Sequence, residues 1–341
     1  MPTSSPARME LDRDKSPADT TGPADIDRAV KLLRAGRLVA FPTETVYGLG
    51  ADATNESAVQ RIFEAKGRPE THPLIVHIAG ADMLADWVAD VPDTARQLAE
   101  RFWPGPLTII LDRGRRVPLV VTGGLETVGL RVPAHPVALA LLREFSGGVA
   151  APSANRFGRV SPTRAEHVRD DLGDHVDFIL DGGPCSVGLE STIVDMTSGY
   201  PTILRPGGVT PEQLREVLGC PVMIRHGGPI FAPGQHPLHY SPRAEVVLVT
   251  AADMVQRAAA LRTTGRRVVV VCRESDPVPD NFATIRLPDS LDAAAQSLYD
   301  TLREVDRRGF DVAVVALPPE HGVGLAIADR LRRAAGKGSS E

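Results

Sequence analysis

The chain has 341 residues, 43% of them hydrophobic and 4% aromatic, with 38 Lys+Arg against 43 Asp+Glu for a net charge of −5. That length suits about two domains, the composition is that of an ordinary globular protein with a Val, Leu, Ile and Ala core, and the charge excludes a global basic field for nucleic acid or an acidic membrane. Cys185, Cys220 and Cys272 stand far apart without a C-x-x-C pair, which excludes a cysteine zinc site, disfavours a disulfide framework and fits a reducing, cytoplasmic setting.

Residues 1–24 are rich in Pro, Ser, Thr and Asp and lack an apolar segment, so they read as a disordered tail rather than a signal peptide, with Met9 an alternative start to Met1. No apolar run approaches the roughly 20 residues that span a bilayer. "DIDRAVKLLRAG" (25–36) reads as a helix ended by Gly36, and "RLVAF" as a strand. "NESAVQRIFEAKGR" is an amphipathic helix with Asn55 near its cap, ending at Gly67 with Lys66 and Arg68 at its C-terminal end. Strand "PLIVHIA" follows, then helix "PDTARQLAERFW", strands "LTIILD", "TVGLRV" and "GVAAPS", with helix "PVALALLREF" between the last two of these. "VDFILDGG", "STIVDM" and "TILRPG" close an α/β domain over residues 25–224, and the hairpin-like neighbours at its end predict a mixed sheet. Residues 225–243, rich in Gly, Pro and His, read as a linker. Beyond them, three fully apolar strand runs ("AEVVLV", "RRVVVVC", "FDVAVVAL") alternate with three helices, which predicts a small doubly wound, Rossmann-like domain over 244–341.

Several loops carry more chemistry than a turn needs. "FPTETVYGLG" (41–50) places Thr43, Glu44, Thr45 and Tyr47 ahead of two glycines, which are expected to turn the backbone away without crowding it. "GLGADA" matches G-x-G-x-x-A, but Pro42 to Tyr47 separate it from the preceding strand, so a nicotinamide or flavin site is disfavoured. Lys66, Arg68, His72 and His77 fall within twelve residues and suit an anion-binding rim, although basic residues near a helix end also complement its dipole. Arg131 interrupts an apolar strand and requires a partner, either a structural acid or a ligand carboxylate. Ser153, Asn155, Ser161 and Thr163, then Ser191 and Thr192, then Arg205, follow or begin strands in Pro/Gly-rich loops, where α/β sheets bind ligands. There is no G-x-x-x-x-G-K-[ST] and no G-x-S-x-G, so neither a Walker ATPase nor a serine hydrolase is supported.

In order, "FPTETVYGLGADA", "KGRP…HPLIVHI", "WPGPLT", "LRVPAHP", "APSAN…G…SPT", "GLESTIVD" and "LRPG" resemble the L-threonylcarbamoyladenylate synthase family, the YrdC-like enzymes, over about residues 26–220. The linker and the second domain resemble the family's longer, two-domain form. The resemblance implies a twisted open mixed sheet with a concave, basic cavity. It also implies formation of threonylcarbamoyl-AMP and pyrophosphate from L-threonine, bicarbonate and ATP, for use by a separate transferase complex at adenosine 37 of tRNA. Carried onto this sequence, Thr45, His77, Arg131, the Ala151 backbone and Ser191 would hold threonine. Lys66, Arg68, His72, Thr127, Ser153, Asn155, Ser161 and Arg205 would surround ATP, with Lys66 and Arg68 neutralising developing phosphate charge and Tyr240 acting as part of a lid. Magnesium would come with ATP, with no protein metal cluster and no organic cofactor needed. A weak RNA contact is compatible with this, whereas an RNA-binding module without chemistry is disfavoured by the net charge and scarce aromatics.

Overall fold

The computed structural model describes residues 21–225, 232–233 and 240–336. Most of the expected tail and linker therefore lies outside the described residues.

The first unit runs α1 (Pro23–Arg34), β1 (Val39–Phe41), β2 (Gly48–Asp52), α2 (Glu56–Lys66), β3 (Ile75–His77), α3 (Asp93–Phe102), β4 (Leu107–Asp112), α4 (Leu119–Thr122) and β5 (Thr127–Arg131). It continues with α5 (Pro136–Phe145), β6 (Val149–Ala150), α6 (Ala165–Leu172), β7 (Phe178–Ile179), β8 (Thr192–Asp195), β9 (Thr202–Arg205), α7 (Pro211–Leu218) and β10 (Met223–Ile224). Its ten strands form one twisted mixed sheet in the order β10-β9-β8-β4-β5-β3-β6-β2-β1-β7. Parallel and antiparallel neighbours mix: β3 runs parallel to β5, β8 antiparallel to β9, and β4 parallel to β8.

The helix signals act as the sequence predicts. Asn55 caps α2 by accepting the Ala58 N–H at 3.1 Å, and Gly67 ends it in the left-handed region at φ 61°. That stop leaves Lys66 in the last turn of α2, beside the segment that follows β6, and Arg68 just beyond it. One expectation changes. Gly48 and Gly50 are not turn residues but lie inside β2, paired antiparallel with β1 as Phe41↔Gly48 and Val39↔Gly50. A Cβ on Gly50 would meet the Val149 side chain at 2.8 Å and the Phe41 ring at 2.9 Å, so close packing across strands is what requires glycine. Without a strand-to-helix turn at these glycines, the dinucleotide fingerprint has no structural context.

The apolar runs of this sheet pack on both sides. A large core lies around α2, α3, Trp87 and Leu98, and a second, smaller one joins α1 and α5 to Phe41 and Val149. On the remaining open stretch, Ile75, Ile110, Ile193 and Leu204 are covered by Ala232 of the connecting segment.

The second unit comprises β11 (Glu245–Val249), α8 (Met254–Arg262), β12 (Val268–Arg273), β13 (Ala283–Leu287), α9 (Leu291–Arg307), β14 (Val312–Ala316) and α10 (Gly324–Ala335). Its four strands are all parallel in the order β11-β14-β12-β13. Helices α9 and α10 cover one face and α8 the other, the doubly wound arrangement. Strand β13 has no counterpart among the three apolar runs of the sequence reading. It is an edge strand whose residues are mostly exposed or half-buried, so it carries no continuous apolar signal. Among the described residues no helix is long and apolar enough to cross a membrane.

Candidate active site

A cavity opens where the loop 42–47 meets the ends of β3, β5, β6 and β9. Register sets its floor. His77 and Arg131 are Cα partners at the carboxyl ends of the parallel strands β3 and β5, so their side chains arrive together. Ligands of open α/β sheets sit at such ends.

The polar loop is held by its own hydroxyls. The Thr43 hydroxyl donates to the Val46 carbonyl at 2.6 Å, accepts the Val46 N–H at 3.2 Å and lies 2.8 Å from the Thr45 hydroxyl. Tyr47 points away from the cavity and donates to the Gly183 carbonyl at 2.8 Å, and burial raises its pKa above the usual phenol value. Glu44 is the structural acid that Arg131 requires. The two are 2.7 Å apart, while Arg131 also donates to the Thr45 hydroxyl at 2.9 Å and the Gly105 carbonyl at 3.2 Å. The sequence left a structural acid and a ligand carboxylate as alternatives; a structural acid is present, and the Arg131 side chain still lines the cavity. Burial, with Arg131 adding, pulls the His77 pKa down to about 3, so its imidazole is neutral near pH 7.

The basic residues divide into two groups. Arg68 and Arg205 line the cavity. Arg68 donates to the Pro73 carbonyl at 2.9 Å, and its Nε has no hydrogen-bond partner among the described residues. Burial pulls its pKa to about 10, which leaves it charged at neutral pH. Arg205 clasps Ser191, donating to its carbonyl at 2.9 Å and its hydroxyl at 3.1 Å, while the Ser191 hydroxyl lies 2.8 Å from that of Thr108. Lys66 instead stands behind the wall. Its ammonium donates to the carbonyls of Ser153 (2.6 Å) and Asn155, and burial, then the neighbouring Arg68, lowers its pKa well below the usual lysine value.

All five residues expected to hold threonine, Thr45, His77, Arg131, Ala151 and Ser191, line this one cavity. Of those expected around ATP, Arg68, Ser153, Arg205 and Tyr240 line it as well. Asn155 lies behind, donating to the carbonyls of Arg156 and Arg159, each at 2.9 Å. Ser161 donates to Glu190 at 2.6 Å. His72 packs its ring against Phe157 at 5.4 Å. Thr127 opens onto two neighbouring hollows beside Ile110 instead. Tyr240 is fully buried at φ 62° and stacks on Tyr299 of the second unit, ring centroids 5.6 Å apart.

Sequence reasoning missed Glu190, Tyr299 and Arg330. Glu190 lines the cavity, accepts the Tyr299 hydroxyl at 2.7 Å and pairs with Arg330 Nε at 2.8 Å. Burial would raise its pKa, but Arg330, Arg205 and Ser161 outweigh that and hold it at about 2. A signal was present: Arg330 shares the helical face of Ile327, Leu331 and Ala334, all buried, where an unpaired charge could not sit.

A family model described as "Telomere recombination", of the Sua5/YciO/YrdC type, matches residues 31–207, and one described as "Threonylcarbamoyl-AMP synthase, C-terminal domain" matches 209–336. The second begins before α7 and β10, although β10 pairs with β9 in the first sheet and α7 packs on α3. Relatives called threonylcarbamoyl-AMP synthase are similar over almost the whole chain. That of Pyrococcus abyssi is 44% identical over 90% of this chain and 93% of its own. That of Bacillus subtilis is 44% identical over 93% and 94%. The crystal structure of P. abyssi Sua5 complexed with L-threonine matches with a TM-score of 0.88 at 42% identity, covering 92% of this chain and 94% of that one. The chain belongs to the Sua5/YciO/YrdC family, in the two-domain form of its threonylcarbamoyl-AMP synthases.

Proposed function

We propose that this chain is an L-threonylcarbamoyladenylate synthase, a nucleotidyltransferase that makes threonylcarbamoyl-AMP and pyrophosphate from L-threonine, bicarbonate and ATP. The observation that carries the reading is a single cavity lined by Arg68, Arg131 and Arg205 together with the hydroxyls of Thr45, Ser153 and Ser191. Family membership and the threonine complex of a relative 42% identical support it.

The threonine amine attacks the bicarbonate carbon and water leaves, giving a carbamate. A carbamate oxygen then attacks the α-phosphorus, and the α–β bridging oxygen departs with the pyrophosphate. Neither step requires a protein nucleophile, so the protein's work is positioning and charge neutralisation. Arg131, oriented by Glu44, holds the threonine carboxylate beside Thr45 and Ser191, with the Ala151 backbone completing the wall. A neutral His77 adds no second cation beside the amine, which must lose its proton to attack. Arg68 and Arg205 face the phosphates. Lys66 stiffens the 153–155 segment from behind and adds charge to it, so Ser153 and Asn155 are held in place. Ser161 acts through Glu190, and Tyr240 closes the cavity from the connecting segment. His72 and Thr127 stand farthest out and have supporting roles at most.

Magnesium would enter on ATP. The lining hydroxyls of Ser153 and Ser191 are hard oxygen donors that suit it, whereas both oxygens of Glu190 already have partners. When bound, it would neutralise phosphate charge. The product would pass to a separate tRNA-modifying transferase complex acting at position 37, in the cytoplasm, with at most a weak RNA contact by this chain. Residues 25–224 would form the catalytic domain, 225–243 the lid-bearing linker and 244–341 the accessory domain. The test is pyrophosphate release with each substrate omitted in turn. Release should require threonine and bicarbonate together, and release with neither present would overturn the reading.

A further inference from the structure

Glu190 is an odd residue for a cavity that receives a triphosphate. Among the described residues it is the one carboxylate lining it, and it is 6% exposed. Each of its oxygens is engaged: Oε1 by the Ser161 hydroxyl at 2.6 Å, Oε2 by the Tyr299 hydroxyl at 2.7 Å and by Arg330 Nε at 2.8 Å. Two of these three partners come from α9 and α10 of the second domain.

We propose that Arg330 is a positioning residue of the active site, which neutralises Glu190 from the second domain so that the cavity wall accepts the ATP phosphates. The proposal rests on the synthase reading above. Arg330 is 0% exposed, and its guanidinium sits 5.1 Å from the centre of the Tyr240 ring, which lines the same cavity. A second arm pairs with Asp329 at 2.6 Å. Docking of the two domains does not explain this cluster. Buried ion pairs are often no better for stability than apolar residues of equal volume, and the neighbouring positions Ile327 and Leu331 show that this face of α10 is otherwise apolar. What the pair does for the cavity is electrostatic. Without Arg330, the Glu190 charge would repel the phosphates and draw Arg205 away from them. With it, the wall keeps the ordered Ser161–Glu190 contact and sheds the net negative charge. The second domain thereby completes the nucleotide site without lining it.

The experiment uses the full-length protein and measures initial rates of pyrophosphate release, with ATP affinity measured separately by calorimetry in the absence of threonine and bicarbonate. Arg330→Met should raise the KM and Kd for ATP tenfold or more, with kcat and the KM for threonine changed less than threefold. Adding Glu190→Gln to Arg330→Met should recover most of the ATP affinity. A double variant as impaired as the single, or equal rises in both KM values, would overturn the proposal. Should Arg330→Met fail to fold, Arg330→Gln and Arg330→Lys decide. The glutamine variant keeps a hydrogen bond without the charge and should bind ATP poorly, while the lysine variant should bind it well; equal or reversed affinities overturn the idea. Wild-type protein that binds ATP but releases no pyrophosphate would defeat the synthase reading and leave this comparison of affinities standing.

Discussion

Two buried arginine–glutamate pairs stand at the cavity wall, and they are built differently. Arg131–Glu44 lies within the first domain, where strand register brings Arg131 beside His77 and the 42–47 loop brings Glu44 to it. Arg330–Glu190 joins two domains and reaches the cavity only through its acid. In the first pair the arginine lines the cavity and the acid stands behind it. In the second the acid lines the cavity and the arginine stands behind it. The geometry of a pair therefore does not reveal its role; which partner lines the cavity does.

The sharpest way to break this contrast is to remove each arginine and then its acid. Arg131→Ala should have the largest effect of any variant considered. It leaves Glu44 buried without its cation, a loss of about 3–5 kcal/mol of stability for pairs of this kind, and should raise the KM for threonine on the order of a hundredfold. Glu44→Gln added to it should restore stability but not threonine affinity, because on the reading proposed above the lost guanidinium would hold the threonine carboxylate. Recovery of both, measured by denaturant unfolding and initial rates, would make the two pairs equivalent and end the distinction.

Lys66→Ala comes next. It should lower kcat by about 10²-fold, the scale seen when one charge-stabilising group is removed, with the threonine KM little changed. An identical kinetic defect in Arg131→Ala would defeat the division of substrates. Lys66 also carries a pH signature. Its pKa is depressed by burial and Arg68, and a bound polyanion would raise it again. ATP affinity should therefore fall as pH rises through the free-enzyme value, and the variant should lose that slope.

How much of this was legible in the sequence follows from range. Helix ends at Asn55 and Gly67, and the strand ending at Arg131, are local and could be read directly. The need of Arg131 for a partner was legible too, but its identity was not, because 87 positions separate the two residues. Glu190 and Arg330 are 140 residues apart and belong to different domains; only the misplaced charge on an apolar helix face hinted at them. Gly48 and Gly50 misled because glycine in a polar stretch signals a turn, while here it makes room for Phe41 and Val149. Edge strand β13 escaped because exposure removes the apolar run on which strand reading depends.

A smaller effect concerns His77, whose depressed pKa of about 3 follows from burial and Arg131. The unfolded chain binds this proton near pH 6.5 and the folded chain does not, so stability rises with pH between about 3 and 6.5 and is level above. Between pH 6.5 and 5 the loss from this group should be about 1–2 kcal/mol. His135 and His167 are lowered by burial as well, so the quantity to measure is the difference between wild type and His77→Gln. Parallel curves for the two proteins would show that the imidazole is not held neutral.

The smallest effects mark where the site ends. His72 rests against Phe157, and Thr127 lines hollows beside Ile110, one of which shares Ile75 and Pro233 with the main cavity. His72→Ala and Thr127→Ala should each change ATP and threonine kinetics less than threefold, below the effect of either arginine. For Thr127 the outcome also measures the length of the nucleotide site. A tenfold rise in the KM for ATP would mean that the nucleotide extends past Ile75 along β5 into the next hollow. The part of the wall governed by Arg330 would then hold only one end of it, and the contrast between the two pairs would become one between the two ends of a single ligand.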